Sequence, residues 1–295
     1  MYSLSGSEAQ AVDFYDRKKE PANQQIYLQG NNAEQIFNMN FGRRLWDPIF
    51  AFDPTKYKNP QLKITMVRGS GGNTSTVGAL TVLANIFDEK MITPMGFLMN
   101  KEIKDYPFGV GTHEYTALPT DFPYRKMFIR SQVYGTGSEW CFTSIKLSED
   151  NDKRIPLNHS IGDCLRSIVG LNPPYRERIV CAYGGGGLFY CTPAYWPKAN
   201  ANTWALENSA AVLTTWAGDG GRGYVYPSVG FSNMTIDVEG YCPHGVLEFP
   251  FGLQDDPDDW YDVTRVGSLK LDIVAGGGMS ATENCQIFLQ QARRY

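Results

Sequence analysis

Asp237 and Glu239 are the two residues whose types and spacing come closest to a catalytic pair. Residues two apart on a β-strand project to the same side, and a retaining glycosidase needs two carboxyl groups about 5–5.5 Å apart. However, Met234, Ile236 and Val238 alternate with them along the chain. This alternation is typical of a strand with one buried and one solvated face. We therefore predict that both carboxylates are solvated and not catalytic.

The other residues that could do chemistry also lack the required spacing. His113, His159 and His244 form neither HExxH nor another two-ligand spacing. The glycine run in YGGGGLFY (residues 183–190) lacks the Lys-Ser/Thr pair of a phosphate-binding loop. The acidic segment QDDPDDWYD (residues 254–262) lacks the glycine and ligand spacing of an EF-hand loop. We predict no catalytic, cofactor-binding or metal-binding residues, and we expect that the protein is not an enzyme.

The six cysteines, at positions 141, 164, 181, 191, 242 and 285, are scattered singly along the chain. They lack the short spacings of a zinc site. No signal-peptide pattern is visible at the start of the sequence, and no segment reaches the roughly 20 apolar residues of a membrane span. The cysteines are therefore expected to be buried free thiols.

Composition argues against direct binding of nucleic acid. The 295 residues are 42% hydrophobic and 20% charged, with a net charge of −4. A sizeable core is possible, but the basic surplus of a nucleic-acid-binding protein is missing. The longest basic run, Arg17 to Lys19, is flanked by acidic residues. We expect no direct contact with a genome.

Short segments with alternating apolar residues recur along the chain and predict strands. Four of them are Leu62–Met66, Met234–Val238, Leu247–Phe251 and Leu269–Ile273. Turn-forming residues, among them 30 glycines and 17 prolines, separate such segments. Many short strands with these breaks favour a β-sandwich over a parallel α/β fold.

One segment near the middle of the chain has a helical pattern instead. In NHSIGDCLRSIVGLNPPY, apolar residues follow the i, i+3, i+4, i+7, i+8 spacing of one helix face. We predict a helix over Ser160–Val169 that buries Leu165 and Ile168. Gly170 and the two following prolines are expected to end it.

This helix divides the sequence into two strand-rich parts, each the size of one eight-stranded sandwich. Each part also has a stretch of helical character, Thr76–Met91 in the first and Thr203–Trp216 in the second. The predicted fold is all-β, with two tandem eight-stranded sandwiches and short helices in linker and loops. The predicted divisions are residues 1–25 (with a helical stretch at Ala11–Lys19), a first sandwich (26–157), a helical linker (158–177) and a second sandwich (178–295).

The last eleven residues of the sequence, CQIFLQQARRY, are too apolar and β-branched for a frayed tail. We predict a terminal strand that stays paired to the last residue, with Ile287 and Leu289 in the core.

Three segments resemble strands of capsid proteins from tailless phages. They are LPTDFPYRKMFIRS (Leu118–Ser131), IKLSEDNDKRIPLN (Ile145–Asn158) and QIFLQQARRY at the end of the sequence. With the tandem arrangement, the chain resembles the double jelly-roll major capsid proteins of tailless icosahedral viruses. The resemblance covers roughly residues 26–295, and this family has no universal sequence motif.

The resemblance implies a structural role in a virion shell that assembles in the host cytoplasm. It implies that both eight-stranded sandwiches are jelly rolls (a double jelly roll), that residues 1–25 form an N-terminal arm and that the final strand lies inside a sheet. Gln290, Gln291, Arg293 and Arg294 are then expected to make polar contacts at a domain or subunit boundary.

The implied oligomer is a homotrimer whose six jelly rolls form a pseudo-hexagonal capsomer. The implied partners are neighbouring capsomers, penton or minor capsid proteins, and an internal membrane, with no cofactor. The residues expected to support assembly and its framework are Leu165, Ile168, Ile287, Leu289, Arg293, Arg294 and Tyr295.

Two other classes of function remain open at this point. One is a β-sandwich enzyme or lectin that acts on glycans, of the glycosidase or amidase type. The other is a tail, spike or other virion component. The oligomeric state separates these classes, because a shell protein self-associates whereas a glycan-acting enzyme can work as a monomer.

Overall fold

The computed structural model describes residues 2–27, 33–66, 78–88, 91–183, 187–204, 214–227 and 232–295. The helices are α1 (Gly6–Arg17), α2 (Ser138–Cys141) and α3 (Ile161–Leu171), with a 3-10 helix at Pro54–Lys56. The strands in this part of the chain are β1 (Tyr2–Ser3), β2 (Gln25–Tyr27), β3 (Gly96–Pro107), β4 (His113–Leu118), β5 (Tyr124–Ser131), β6 (Phe142–Glu149), β7 (Arg154–Ser160), β8 (Tyr175–Tyr183), β9 (Gly187–Tyr190), β10 (Pro193–Trp204), β11 (Thr214–Asp219), β12 (Arg222–Pro227), β13 (Ser232–Pro243), β14 (Val246–Pro250), β15 (Leu269–Ala275) and β16 (Asn284–Arg294).

Eight of these strands form one jelly-roll sandwich. The first sheet has the order β3-β16-β5-β14, extended by β1 at its edge, and the second has the order β4-β15-β6-β7. Apolar side chains of both sheets share one core cluster, which includes Ile145, Leu271, Ile287 and Leu289. Strands that follow one another along the sandwich alternate between the two sheets, except β6 and β7, which are neighbours in one sheet. This is the connectivity of a jelly roll. The predicted all-β class is confirmed.

The strand pairing differs from the predicted arrangement of two sandwiches in tandem. Strand β16 pairs with β3 on one side and with β5 on the other, so one sandwich combines residues 96–160 with residues 246–294. Residues 175–243 form an insertion between β7 and β14. Its sheets have the orders β10-β13-β8-β2 and β11-β12-β9. The division at 158–177 therefore does not separate two sandwiches. A period-two pattern shows which face of a strand is buried, but not which strand it pairs with.

Helix α3 matches the predicted helix closely. Its N-cap is Ser160, whose side chain accepts a hydrogen bond from the backbone N–H of Asp163. Leu165 and Ile168 are buried in the core of the sandwich. The helix continues through Gly170 to Leu171 and ends before the two prolines. It leads from β7 into the insertion.

The terminal segment is an inner strand, as predicted. Ile287 and Leu289 are fully buried, and both edges of β16 are hydrogen-bonded. The N-terminal residues differ from the prediction. Helix α1 includes most of the predicted helical stretch, but it buries Phe14 and Tyr15 in the core instead of extending away as an arm.

Two predicted elements are wrong in the part of the chain that the structure describes. Residues 61–66 form no strand, and the side chains of Leu62, Ile64 and Met66 are about half exposed. Residues 78–88 form no helix. The remainder of the predicted 76–91 stretch lies largely outside the described residues. In the predicted 203–216 stretch, residues 205–213 lie outside them, and the flanking residues belong to strands β10 and β11.

We expect Leu165→Asp to lower the free energy of unfolding by about 3–5 kcal/mol, because it places an unpaired charge in the core. The matched control is Leu171→Asp on the same helix, where the side chain is 54% exposed. That change should alter stability by less than about 0.5 kcal/mol. Urea unfolding followed by circular dichroism measures both. Equal losses for the two variants would contradict the assigned face of α3.

We expect deletion of residues 287–295 to give insoluble protein. The deletion removes most of an inner strand, leaves β3 and β5 with open edges and uncovers the core. The measurement is soluble yield after expression. Arg294→Ala is the control, because Arg294 is exposed and should change the yield little. A soluble, folded truncation would show that β16 is dispensable.

Candidate assembly site

Helix α1 lies against the outer face of the first sheet and buries polar side chains there. Ser5 and Glu8 form a capping box at its start, in which each side chain bonds to the backbone N–H of the other residue. Glu8, Gln10 and Asp13 are buried although they are polar. The hydroxyl group of Tyr15 donates a hydrogen bond to the carbonyl oxygen of Val246 on β14, at 2.7 Å. The helix is therefore an integral layer of the domain.

Asp16 is the centre of a buried ion cluster beneath this helix. Its carboxylate lies 2.6 Å from Nη1 of Arg125, 2.8 Å from Nζ of Lys126 and 2.7 Å from Nε2 of Gln290. The side chain of Asp16 is 1% exposed. Burial alone would raise the pKa of Asp16, but the charges of Lys126 and Arg125 outweigh it and hold the pKa at about 2. Asp16 is therefore ionised in the folded protein at neutral pH.

The cluster continues through Lys126 to Glu248 on β14. The Nζ atom of Lys126 lies 2.7 Å from Oε1 of Glu248. Oε2 of Glu248 accepts a hydrogen bond of 3.1 Å from Asn172, the residue after α3. These contacts join α1, β5, β14, β16 and the end of α3. Loss of one charge would leave its partner buried and unpaired, which costs about 3–5 kcal/mol.

A second contact, between buried Glu8 and half-buried Glu102, joins the start of α1 to β3. Glu8 interacts with Glu102, which also accepts a hydrogen bond of 3.1 Å from Nε2 of Gln286. Burial raises the pKa of Glu8 to about 7. The hydrogen bond from the Ser5 backbone opposes this shift, and the negative charge of Glu102 adds to it. Arg130 on β5 is the nearby cation, and it lowers both pKa values. The two carboxyl groups are held together most favourably when one of them is protonated.

The predicted boundary residues at the end of β16 contact their own chain. The guanidinium group of Arg293 lies about 6 Å from the ring centres of Phe97 and Phe122. The hydroxyl group of Tyr295 donates a hydrogen bond of 2.7 Å to the carbonyl oxygen of Ala51. Arg294 is exposed. Leu165, Ile168, Ile287 and Leu289 lie in the core. The predicted role of these seven residues in assembly remains a prediction.

The segment that precedes β3 is the most exposed apolar part of the described chain. Every residue in 58–66 is exposed, and so is every residue in 78–88 except Phe87. We call these two segments the exposed arm. Their large apolar side chains are between 48% and 88% exposed, at Leu62, Ile64, Met66, Leu80, Val82, Leu83 and Ile86. Sequence reasoning predicted a strand for the first of these segments and helical character for the second, and neither is formed in the described residues.

Asp237 and Glu239 lie on the solvated face of β13, as predicted. Asp237 pairs with Arg178 at 2.7 Å, and Glu239 pairs with Arg176 at 3.4 Å. Both acidic side chains are more than a third exposed. Ile236 and Val238 are buried on the opposite face. The two carboxylates therefore form ordinary surface ion pairs across β8 and β13.

The cysteine and histidine side chains that could react form no catalytic or metal-binding group in the described residues. Five cysteines are free thiols, and Cys181 is not among the residues whose side chains are described. Within the described residues, no group of three or more His, Cys, Asp and Glu side chains could hold a metal ion. Burial lowers the pKa of His244 to about 3, so this ring is neutral, and its Nε2 atom lies 2.9 Å from Oε1 of Gln10. No helix in the described ranges is long and apolar enough to cross a membrane.

The fold thus defines an all-β protein with a jelly-roll sandwich and a β-rich insertion. No known family model matches the sequence, and no curated protein matches it. Among solved structures, the chain is similar to a chain from the atomic structure of Sulfolobus Turreted Icosahedral Virus, with 13% identity and a TM-score of 0.35. The alignment covers 66% of this chain and 45% of that chain, which is less than half its length. A likeness at this TM-score carries no argument about function.

We expect the contact between Glu8 and Glu102 to make stability depend on pH. Glu8 has an ordinary pKa of 4.5 and a pKa of about 7 in the folded protein. The folded state therefore binds more protons than the unfolded state between these values, and stability falls as pH rises through this range. Glu8→Gln keeps an acceptor for the Ser5 N–H and cannot ionise. This variant should exceed the parent in free energy of unfolding at pH 8 by about 1–3 kcal/mol.

Urea unfolding at pH 5, 6, 7 and 8 tests this expectation. The difference between variant and parent should grow with pH. Glu239→Gln is the control, because Glu239 lies on the surface, and its difference from the parent should stay nearly constant. A Glu8→Gln variant with no gain at high pH would contradict the assignment.

Proposed function

We propose that the protein is a structural subunit of an icosahedral viral shell. The observation that carries this proposal is the combination of a jelly-roll sandwich with the exposed arm. Jelly rolls occur in viral capsid proteins as well as in lectins and cupins, so the fold alone does not select among them. The exposed arm favours self-association, because monomeric soluble proteins rarely leave such large apolar patches uncovered.

The proposed oligomer is a homotrimer, as the family resemblance implies. Each chain contributes two β-rich units, the sandwich and the insertion, so a trimer contains six units. Six units are compatible with a pseudo-hexagonal capsomer, although they are not the six equivalent jelly rolls that the resemblance implied. Neighbouring capsomers, penton or minor capsid proteins and an internal membrane are proposed partners on the resemblance alone. Assembly in the host cytoplasm has the same basis.

Light scattering coupled to size-exclusion chromatography, followed by electron microscopy, tests the proposal. We expect particles of three times the 33.0 kDa chain mass, or larger rings and shells. The double variant Asp237→Asn, Glu239→Gln should assemble like the parent, because both residues form only surface ion pairs. A protein that stays monomeric at all concentrations, and that binds or cleaves glycans, would overturn the proposal.

A further inference from the structure

The exposed arm has the chemistry of a strand without a partner. Leu62, Ile64 and Met66 alternate with polar Lys63 and Thr65, which is the pattern of a strand that buries one face. In the described chain, however, residues 58–66 pair with no strand, and all their side chains face solvent. The ring of Phe87 contacts Trp46 at 5.3 Å and holds the far end of the arm to its own chain. The other large apolar side chains of the two arm segments are exposed.

The first segment of the arm is basic. Residues 58–66 contain Lys58 and Lys63 and no aspartate or glutamate, whereas the second segment ends on Asp88. Lys58 and Lys63 form no ion pair with any described residue. A surface that covers the arm should therefore combine apolar contacts with negative charge.

One loop of the same protein has these properties. Residues 252–262 between β14 and β15, which we call the acidic loop, contain Asp255, Asp256, Asp258, Asp259 and Asp262 and no basic residue. Leu253 in this loop is 67% exposed. Two exposed cations lie near these carboxylates, Arg44 at 3.9 Å from Asp255 and Arg265 at 4.0 Å from Asp262. The buried Arg43 also lies beside Asp255. The five carboxylates outnumber these three cations, so the loop has a net negative charge beside an exposed apolar side chain.

The acidic loop is rigidly built, so it is a preformed surface. Trp260 stacks on Phe50 with ring centres 5.3 Å apart, and its indole N–H donates a hydrogen bond of 3.0 Å to the carbonyl oxygen of Leu253. The carboxylate of Asp259 accepts a hydrogen bond of 2.7 Å from the backbone N–H of Leu253. These contacts fix the backbone and leave Asp255 and Asp258 pointing to solvent.

We propose that the exposed arm of one copy docks on the acidic loop of a second copy of this chain. This inference rests on the proposed shell function and specifies the contact through which subunits associate. The two surfaces differ from each other, so the contact is heterologous: each subunit offers an arm to one neighbour and a loop to another. Heterologous contacts close into rings or continue as open arrays. The proposed trimer is the smallest such ring that is commonly found.

Three matched double variants test the contact. The arm variant is Lys58→Glu, Lys63→Glu, the loop variant is Asp255→Lys, Asp258→Lys, and the control is Lys19→Glu, Lys153→Glu at exposed positions elsewhere. All six side chains are exposed, so each variant should fold, and circular dichroism confirms this. Sedimentation velocity at low and high salt measures the oligomer. We expect the arm and loop variants to weaken association at least about tenfold and the control to match the parent.

A mixture of the arm and loop variants is the diagnostic experiment. The acidic loop of the arm variant is still complementary to the basic arm of the loop variant, and the reversed arm of the first also matches the reversed loop of the second. We expect the mixture to associate although neither variant does so alone. A chain with all four substitutions should regain part of its association, because both charges are reversed together.

The outcomes separate this inference from the proposed function. If the parent forms oligomers and the arm and loop variants also do, the docking proposal is wrong and the shell function stands. If the single-surface variants dissociate but their mixture does not associate, the arm contacts something other than the acidic loop. A parent that stays monomeric at every concentration and salt level overturns both proposals.

Discussion

The hydrogen bonding of β16 between β3 and β5 is the constraint on which the other layers depend. Its Ile287 and Leu289 fill the interior of the sandwich. Its Gln286 and Gln290 point to the outer face, where they bond to Arg130 and to Asp16. A single strand therefore organises the apolar core on one side and the polar layer beneath α1 on the other. Without it, the first sheet would divide into β1-β3 and β5-β14, and the helix would lose part of its binding surface.

In the described residues, the largest cluster of buried charges lies in the layer where the helix covers the sheet, and Arg43 and Asp47 form a separate buried pair. An apolar interface there would avoid the cost of taking ions out of water. The ionic interface fixes the position of α1 on the sheet, because Asp16 must lie within bonding distance of both Arg125 and Lys126. The Asp16 cluster stabilises the fold when its groups are ionised. The contact between Glu8 and Glu102 depends on ionisation in the opposite way, because two carboxylates repel each other. The position of α1 therefore results from two electrostatic contacts with different dependence on pH.

Local patterns in the sequence predicted most strands and helices correctly, but they did not predict which strands pair with each other. The alternation of Leu269, Leu271 and Ile273 and the helical spacing around Leu165 both gave correct elements, because each reflects burial of one face. The same alternation at Leu62, Ile64 and Met66 gave a strand that the described chain does not contain. The pattern records that a face is suited to burial, but it does not say whether the partner lies in the same chain.

The buried charges of the site were also beyond local reasoning. Asp16 precedes Arg17 and Lys18 in the sequence, and this pattern predicts a group of charged side chains that face solvent. Its actual partners, Arg125 and Lys126, come from a distant strand. A signal was nevertheless present in YRKMFIRS, where basic residues interrupt an otherwise apolar strand. Every residue of that strand is buried, so its basic side chains required acidic partners from a covering element.

Placing the insertion between β7 and β14 has a consequence for the time course of folding. Strands β3 and β5 are synthesised well before β16, so both must wait for a distant segment before their shared sheet can close. Contacts of such long sequence separation slow folding, whereas the hairpin of β11 and β12 turns tightly through Gly220 and Gly221 and can form at once. The insertion can therefore acquire structure on the ribosome while the sandwich around it is still open. A nascent chain of this kind exposes two unsatisfied sheet edges for most of its synthesis, which makes translation the period of greatest risk of aggregation.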